Sequence, residues 1–591
     1  MTLTDDTRVR PALREPLRRA LNWMLSLRDA GGAIVCPDHG VEHSGKSAGA
    51  IVLALELMRA GEPDRETLKA GAVEQGRRLV GNLINEPNSP CYTFRPGRHD
   101  PFNCSNSVID GGACSDALSE LVQVLGPELD SADREAFRHA SLLHARTYLR
   151  YAILDKGIPA QRAWGLTGLA TAQVLESDEL LERAALEAVG ILEGIQHGDG
   201  SYPYHPLEWG AAHPGAGDVS SFYQSRVTAF LLFALERLGR DPTDPIFRTP
   251  LMRGLDFLLG LQGPDGVKIG LVEAKPWYWG AEYEVASHPF DVAALCFGHE
   301  HFRRAELATA ARHSFEAWAR HLSPSGRPTS HKPGPGRGDS YQCPLFWAAH
   351  ASWAARALSQ LELAYRAPEA PPKLGSGIDI AVRAYEDAQL VRLEDDAVVA
   401  WVRGARPAWN LHHGSPHGAG LLQVVRKADG RALLERRRHA AAQEAEWSCR
   451  AGKRDWKRGW RAGADELRFS FWLSRVHARA GRVGQALAAP STIWRHGVAG
   501  FASPVGSSSF ASRAAIELLP DGVVVRAPLG FRGGEAIEGS EVERRYRIDG
   551  EGLEVRERLI GEGAARDVSY HRPSAAREVA DSGSGLSYRL G

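Results

Sequence analysis

The chain has 591 residues, 43% apolar and 24% charged, with 71 Lys and Arg against 72 Asp and Glu. That length implies two to four domains, or one large repeat domain plus another, and a net charge of −1 leaves no electrostatic footprint for a nucleic-acid partner. Seven cysteines with no CxxC pair exclude a disulfide framework and argue against a zinc ribbon.

At the N-terminus, Leu17, Leu21, Met24 and Leu25 share one helical face with Arg18, Arg19 and Arg28 interspersed, which predicts an amphipathic helix rather than a leader. No run of 18 apolar residues occurs, so no membrane span is expected, and the expected location is cytoplasmic. From there to about residue 363 the period is helical, with segments at 15–28, 46–61, 66–84, 107–125, 132–153, 162–176, 178–196, 219–239, 246–263, 287–299, 302–322 and 341–363. Short links alternate with long ones that carry a loose recurrence: AGGAIVCPDHG from Ala30, SPCYTFRPG from Ser89, GDGSYPYHP from Gly198, GPDGVKIG from Gly263 and SPSGRPTSHKP from Ser323. A two-helix unit repeated six times buries its apolar faces by closing into a ring, so residues 1–363 are expected to form an (α/α)6 toroid, an open α-solenoid being the alternative. Recurrent long loops at one phase then gather at one end, where binding residues tend to sit.

AYRAPEAPPKLGSG marks a linker over 364–375, and beyond it the period falls to two. DDAVVAWVRG, ELRFSFWLSRVHARAG, DGVVVRAPLGF and EVERRYRIDGEGLEVRERLIG read as strands broken at Gly and Asp-Gly, which makes 376–591 a large antiparallel β-sandwich domain. The arginines at alternate positions read as solvated strand faces.

The loop from His197 to Tyr223 is the richest in polar and aromatic groups, with Tyr202, Tyr204, His205, Glu208, Trp209, His213 and Asp218. Ser221 and Gln224 form an S-x-x-Q pattern that predicts a capping box and places Tyr223 in the first helical turn. The helix N-terminus and Arg226, one turn on, both favour a phenolate, which makes Tyr223 a candidate proton-transfer group; packing against a neighbouring hairpin is the other reading. At the start of the β half, WNLHHGSPHGAG brings His412, His413 and His417 within six residues. These predict metal ligation, a polar site with close backbone approach, or a surface cluster without a role. Three further loops combine aromatic faces for pyranose stacking with cations for carboxylates. They hold Asn103 and Asn106; Trp277, Trp279 and His288; and His331.

A toroid followed by a sandwich, with DGSY ahead of the helix bearing Tyr223 and a His-Gly-rich opening to the β half, resembles the heparinase II/III-like polysaccharide lyases and the alginate lyases of the same architecture. The resemblance implies a lyase that cleaves a uronic-acid-containing polysaccharide or oligosaccharide by β-elimination. It implies Tyr223 and His413 as the acid–base pair, tuned by Arg226. The sequence departs from the family pattern at Ser415 and His417, where the metal-site residues of some members stand. It departs again at Ala163, which precedes Trp164 where the family has an Asn or His that neutralises the substrate carboxylate. That role then passes to Gln161, Arg162, Asn103 or Asn106, with Trp164, Tyr202, His205, Trp277, Trp279, His288, His331 and His412 lining the substrate groove. No cofactor is expected; zinc or calcium at the β domain is the exception the histidines leave open. The expected partner is an acidic glycan, with no nucleic acid and no membrane. The alternatives are a glycoside hydrolase on the same toroid, drawing paired carboxylates from Asp199, Asp218, Glu282, Glu284 and Asp339, and a non-catalytic acidic-carbohydrate-binding or assembly protein.

Overall fold

The computed structural model describes residues 6–37, 40, 42–85, 91–94, 107–155, 157–204, 218–271, 283–328, 344–368, 381–405, 418–435, 446–479, 483–561, 566–571, 577–581 and 585–590. Fourteen helices are described before residue 367: α1 (Asp6–Leu25), α2 (Ser44–Arg59), α3 (Arg65–Gly81), α4 (Ser107–Leu125), α5 (Ser131–His144), α6 (Arg150–Asp155), α7 (Pro159–Leu175), α8 (Glu179–Gly194), α9 (Ser221–Arg237), α10 (Pro245–Leu261), α11 (His288–Phe302), α12 (Ala305–Ala319), α13 (Pro344–Arg356) and α14 (Leu358–Arg366). Packing sorts them into two rings. Helices α2, α4, α7, α9, α11 and α13 each touch the next, and α13 returns to α2, closing a circle of six. These inner helices are apolar nearly all round and buried over almost their whole length, as a helix walled in on every side requires. In the chain each alternates with a helix of the outer set, so the first unit is an (α/α)6 toroid, as the twelve predicted segments imply.

Glycine lets the inner helices approach closely. A Cβ on Gly49 would lie 2.8 Å from the Ala349 carbonyl oxygen, which places the α2–α13 closure at a residue without a side chain. Gly112 and Gly168 do the same between α4 and α7, each facing the backbone of the other helix. The sequence recurrence also has a physical basis. At four of its five places the outer helix ends in the same turn, with Gly32, Gly200, Gly266 and Gly326 at φ of 81, 88, 79 and 84°. Each of these glycines donates its N–H three residues back, to Asp29, His197, Gly263 and Ser323 respectively. Only glycine adopts that left-handed conformation without strain. The fifth place, near Ser89, is instead a short hairpin of β1 (Leu83–Asn85) and β2 (Tyr92–Phe94).

Under that hairpin, His144 is fully buried against Phe94 and Tyr148, with Nδ1 2.7 Å from the Ser115 hydroxyl. Burial pushes its imidazolium pKa from 6.5 down to about 3. The folded state therefore holds the neutral ring, and the unfolded chain binds a proton more readily. This contribution to stability is complete above pH 6.5 and drains away as pH falls toward about 3, at up to about 1.4 kcal/mol per pH unit. A His144→Gln variant should show a shallower loss of urea resistance across that window than the parent, and parallel profiles would contradict this.

The second unit takes in the end of α10 from Gly260 and the turn up to Leu271, together with the β half. Trp401 Nε1 and Arg392 Nη1 donate to the Gly260 carbonyl at 2.9 and 3.1 Å, and Arg403 Nη1 donates to that of Leu271 at 2.9 Å. One antiparallel sheet runs in the order β3 (Ala381–Tyr385), β4 (Leu390–Glu394), β5 (Val398–Arg403), β6 (Gly420–Arg426) and β7 (Ala432–Glu435). The other contains β8 (Glu446–Arg450), β9 (Val505–Ser507), β10 (Ala515–Leu519), β11 (Gly522–Gly530), β12 (Ala536–Ile548), β13 (Leu553–Ile560), β14 (Arg566–His571), β15 (Arg577–Asp581) and β16 (Gly585–Leu590). Alternate residues of the two sheets, among them Val391, Val398, Leu421, Val523, Tyr546 and Val555, form one core between them, which makes this unit a sandwich.

Two expectations fail here. ELRFSFWLSRVHARAG is not a strand; it belongs to a helical hairpin between β8 and β9, formed by α15 (Trp456–Arg479) and α16 (Val483–Ile493). Leu467, Phe469, Phe471 and Leu473 do alternate, but over the longer stretch Trp456, Trp460, Leu467 and Phe471 follow the 3.6-residue period, and that decides the element. Nor are all strand arginines solvated. Arg544 is 2% exposed, paired with buried Glu557 at 3.3 Å, and that carboxylate also accepts from Tyr588 and Trp447.

Candidate active site

The first two turns of the inner helices bring a set of polar and aromatic side chains to one end of the ring. Lys46 comes from α2, Asp110 from α4, Trp164 from α7, Tyr223 and Arg226 from α9, His288 and Asp291 from α11, and Phe346 and His350 from α13. Helix N-termini carry partial positive charge, so this end favours an anionic ligand.

Tyr223 is fixed by its neighbours rather than by the expected capping box. The helix begins at Ser221, the preceding Ser220 makes no side-chain cap, and Gln224 is buried against the preceding segment instead. Gln224 Nε2 donates to the carbonyls of Tyr202 and Ser220 at 2.9 and 3.0 Å, while its Oε1 accepts from the Tyr202 N–H at 2.7 Å. This clamps the segment ending at Tyr204 to the helix, and the Tyr204 ring stacks on Tyr223 at 4.8 Å between centroids. Arg226 is 2% exposed, and its guanidinium lies over the faces of Phe222, Phe290, Tyr223, Trp164 and Phe346 at 4.2 to 5.5 Å. Its approach to Tyr223 is thus through the ring face.

His350 shares these aromatic walls, 4.0 Å from Phe346 and 4.5 Å from Phe290 between ring centroids. Its Nδ1 lies 2.6 Å from the Ala286 carbonyl oxygen, which can only accept, so Nδ1 carries the proton. Burial, reinforced by Arg226 and Lys46, holds the imidazolium pKa far below its usual value, so the ring is neutral. The lone pair on Nε2 is buried and meets no hydrogen-bond donor among the described residues. Lys46 Nζ sits 3.3 Å from Asp110 Oδ1 and 4.5 Å from the Phe346 ring centre. Lys46, Asp116, Trp164, His350, Ser352 and Trp353 line a cavity of about 20 Å3, room for one small group such as a carboxylate oxygen and too small for a pyranose.

Of the residues expected from sequence, Trp164 lines this cavity, and Arg226 lies over the Trp164 and Tyr223 rings beside it. His288 stands on α11 with Nδ1 3.5 Å from Asp291 Oδ2, both nearly fully buried. Arg162 is turned away: it is 4% exposed and donates to the carbonyls of Ile153 and Leu154 at the end of α6. Tyr202 is 3% exposed, and burial raises its phenol well above the usual range. His413, His412, His417, His205, Asn103, Asn106, Trp277, Trp279 and His331 lie outside the described residues, as do Glu282 and Asp339. Among the described residues no group of three metal-binding side chains comes together. Sequence reading missed Lys46, Asp110 and His350. Their signal is a charged or imidazole side chain inside an otherwise apolar helix, as in PLFWAAHASWAAR.

No protein-family model and no curated protein matches the chain. Solved structures with some likeness include a cellobiose 2-epimerase from Spirochaeta thermophila DSM 6192, with 14% identity, 60% of this chain and 99% of that one covered, and a TM-score of 0.45. A glycosyl hydrolase of family 88 from Bacteroides vulgatus shows 13% identity, 60% and 99% coverage, and a TM-score of 0.41. For an unsaturated glucuronyl hydrolase from Bacillus sp. GL1 the values are 15%, 60%, 98% and 0.40. Likeness this distant assigns no activity.

Proposed function

We propose that the chain is a carbohydrate-active enzyme that removes the proton next to the carboxylate of a uronate sugar and cleaves the 4-linked bond by β-elimination. The observation that carries this reading is the neutral His350, with its proton fixed on Nδ1 by Ala286 and its Nε2 lone pair facing no donor. The C5 proton passes to that nitrogen, and its electron pair forms the C4–C5 double bond. The C4–O bond breaks, and the leaving oxygen takes a proton from the Tyr223 hydroxyl. Such a carbon acid needs its developing negative charge offset. Arg226, Lys46 and the surrounding helix N-termini provide that field, and the small cavity suits the sugar carboxylate with the ring above it.

A hydrolase on the same site is favoured by one specific feature. Burial pushes the Asp116 carboxyl up even beside Arg356, which makes it the proton-donor candidate of a hydrolase, with Asp110 on the same helix as the second carboxylate.

The products separate the two. Incubation with a panel of uronate-containing glycans, followed by mass analysis of the ends, should give fragments whose masses sum to that of the substrate and which absorb in the ultraviolet through the new double bond. Fragments that have gained one water in total, with saturated ends, would replace elimination by hydrolysis. Tyr223→Phe should abolish the unsaturated product while leaving the fold intact.

A further inference from the structure

The helical hairpin of α15 and α16 carries a surface that no described residue of the sandwich covers. Trp456, Trp460, Phe471, Val483, Leu487 and Trp494 are 39 to 76% exposed, the largest grouping of exposed apolar side chains described in the second unit. They are organised rather than scattered. Trp460 and Trp494 meet edge to face at 5.0 Å, Trp456 stacks near Trp494 at 6.4 Å, and the Arg454 guanidinium lies 5.1 Å from the Trp456 ring centre. At about 100° per residue, Trp456, Trp460 and Phe471 fall within about 60° of one another around α15, while Lys457, Arg461 and Arg475 flank them at about 100–140°. Gly459 and Gly463 fall at about 300 and 340°, beside Trp456, where a Cβ would run into Val498, so the hairpin closes on its glycines along one border of the aromatic edge.

Charge identifies the occupant. From Lys453 to Arg495 there are ten Lys and Arg against three Asp and Glu, in a chain that is otherwise balanced. A second copy would bring like charge to like charge. An acidic glycan would use the flat rings and the cations but has nothing for Val483, Leu487 or Phe471. An amphipathic helix with basic flanks and an edge of Trp, Phe and aliphatic side chains matches an anionic bilayer interface. The six Lys and Arg within α15 rule out a span, and no described helix is long and apolar enough to cross a membrane. We infer that the α15–α16 hairpin lies on anionic lipid surfaces, with Trp456, Trp460, Phe471, Val483 and Leu487 in the headgroup layer and the flanking cations on the lipid charges. The expectation of no membrane partner considered spanning segments alone.

The test is co-sedimentation of the full chain with vesicles of phosphatidylcholine, alone or mixed with phosphatidylglycerol. Binding is expected only to the mixed vesicles, weakening as salt rises, with a blue shift of tryptophan emission. Lys457→Gln with Arg461→Gln should weaken the partition about 25-fold, at about fivefold per charge. Trp460→Ser with Phe471→Ser should weaken it at least tenfold while the circular dichroism stays unchanged. Three results would overturn the inference: no sedimentation with mixed vesicles; sedimentation that both double variants retain; or retardation in a uronan-containing gel that the same substitutions abolish while vesicle binding is absent. A dimer in light scattering that Trp460→Ser dissolves would likewise reassign the surface to self-association.

Discussion

Replacement of His350 by Gln is expected to lower kcat on the uronate substrate by about 10²–10⁴-fold, the range for loss of a positioned general base. The tautomer decides this role. A backbone carbonyl has no proton to give, so the 2.6 Å contact from Ala286 fixes the proton on Nδ1 and leaves Nε2 basic. Burial together with Arg226 and Lys46 lowers the imidazolium pKa, so the ring starts neutral and free to accept a proton, though as a weaker base than a free imidazole. A merely structural histidine would lose stability on substitution and leave the catalytic pH profile of the residual activity in place. A base should lose kcat with KM little changed and take the acid limb of the profile with it. The variant is to be compared with Tyr223→Phe, whose ring lies 5.0 Å from the Arg226 guanidinium. If His350→Gln keeps full activity while Tyr223→Phe loses it, the base lies elsewhere in the chain, and His413 becomes the first residue to examine.

The second large effect is on stability, at the other end of the ring. Glu120 is 1% exposed and accepts from Arg59, Arg237 and Arg356 at 2.9, 2.6 and 3.3 Å. Those arginines close the last turns of α2, α9 and α13, where a cation also complements the helix dipole. Burial alone would push the Glu120 carboxyl up; Arg356, Arg237 and Arg59 together hold it below its usual range. Glu120→Ala removes a charge that three inner helices share and leaves Arg356, 3% exposed at its side chain, with Asp116 at 2.5 Å as its remaining partner among these acids. The expected cost is about 3–5 kcal/mol, read as a lower urea midpoint for the toroid transition. Breaking the exposed Arg65–Glu128 pair by Glu128→Ala should cost no more than about 1 kcal/mol. Equal effects for the two would mean that the buried cluster holds nothing the surface pair does not.

How much was legible in the sequence follows from the reach of each signal. Helix positions were readable because the 3.6-residue period is written locally, and four of the five recurrent loops proved to be one turn because a left-handed residue needs glycine. The strand reading of ELRFSFWLSRVHARAG failed because a short alternation is compatible with either period, and the contacts of Gly459 and Gly463 with Val498 favour the helix. In the same way the S-x-x-Q pattern placed the start of α9 correctly, yet Gln224 spends its amide on Tyr202, a partner 22 residues away in sequence.

The sequence by itself determined two domains of different period, helices in hairpin pairs, a sandwich after them and a loop that delivers Tyr223 to a helix start. The tertiary structure alone decided which six helices form the inner wall and which histidine among the described residues meets the pit. It also decided that Arg162 serves a backbone rather than the mouth. The physical reason is range: period and turn chemistry act between neighbours, whereas the basicity of His350 depends on a carbonyl 64 residues distant and on two cations from other helices.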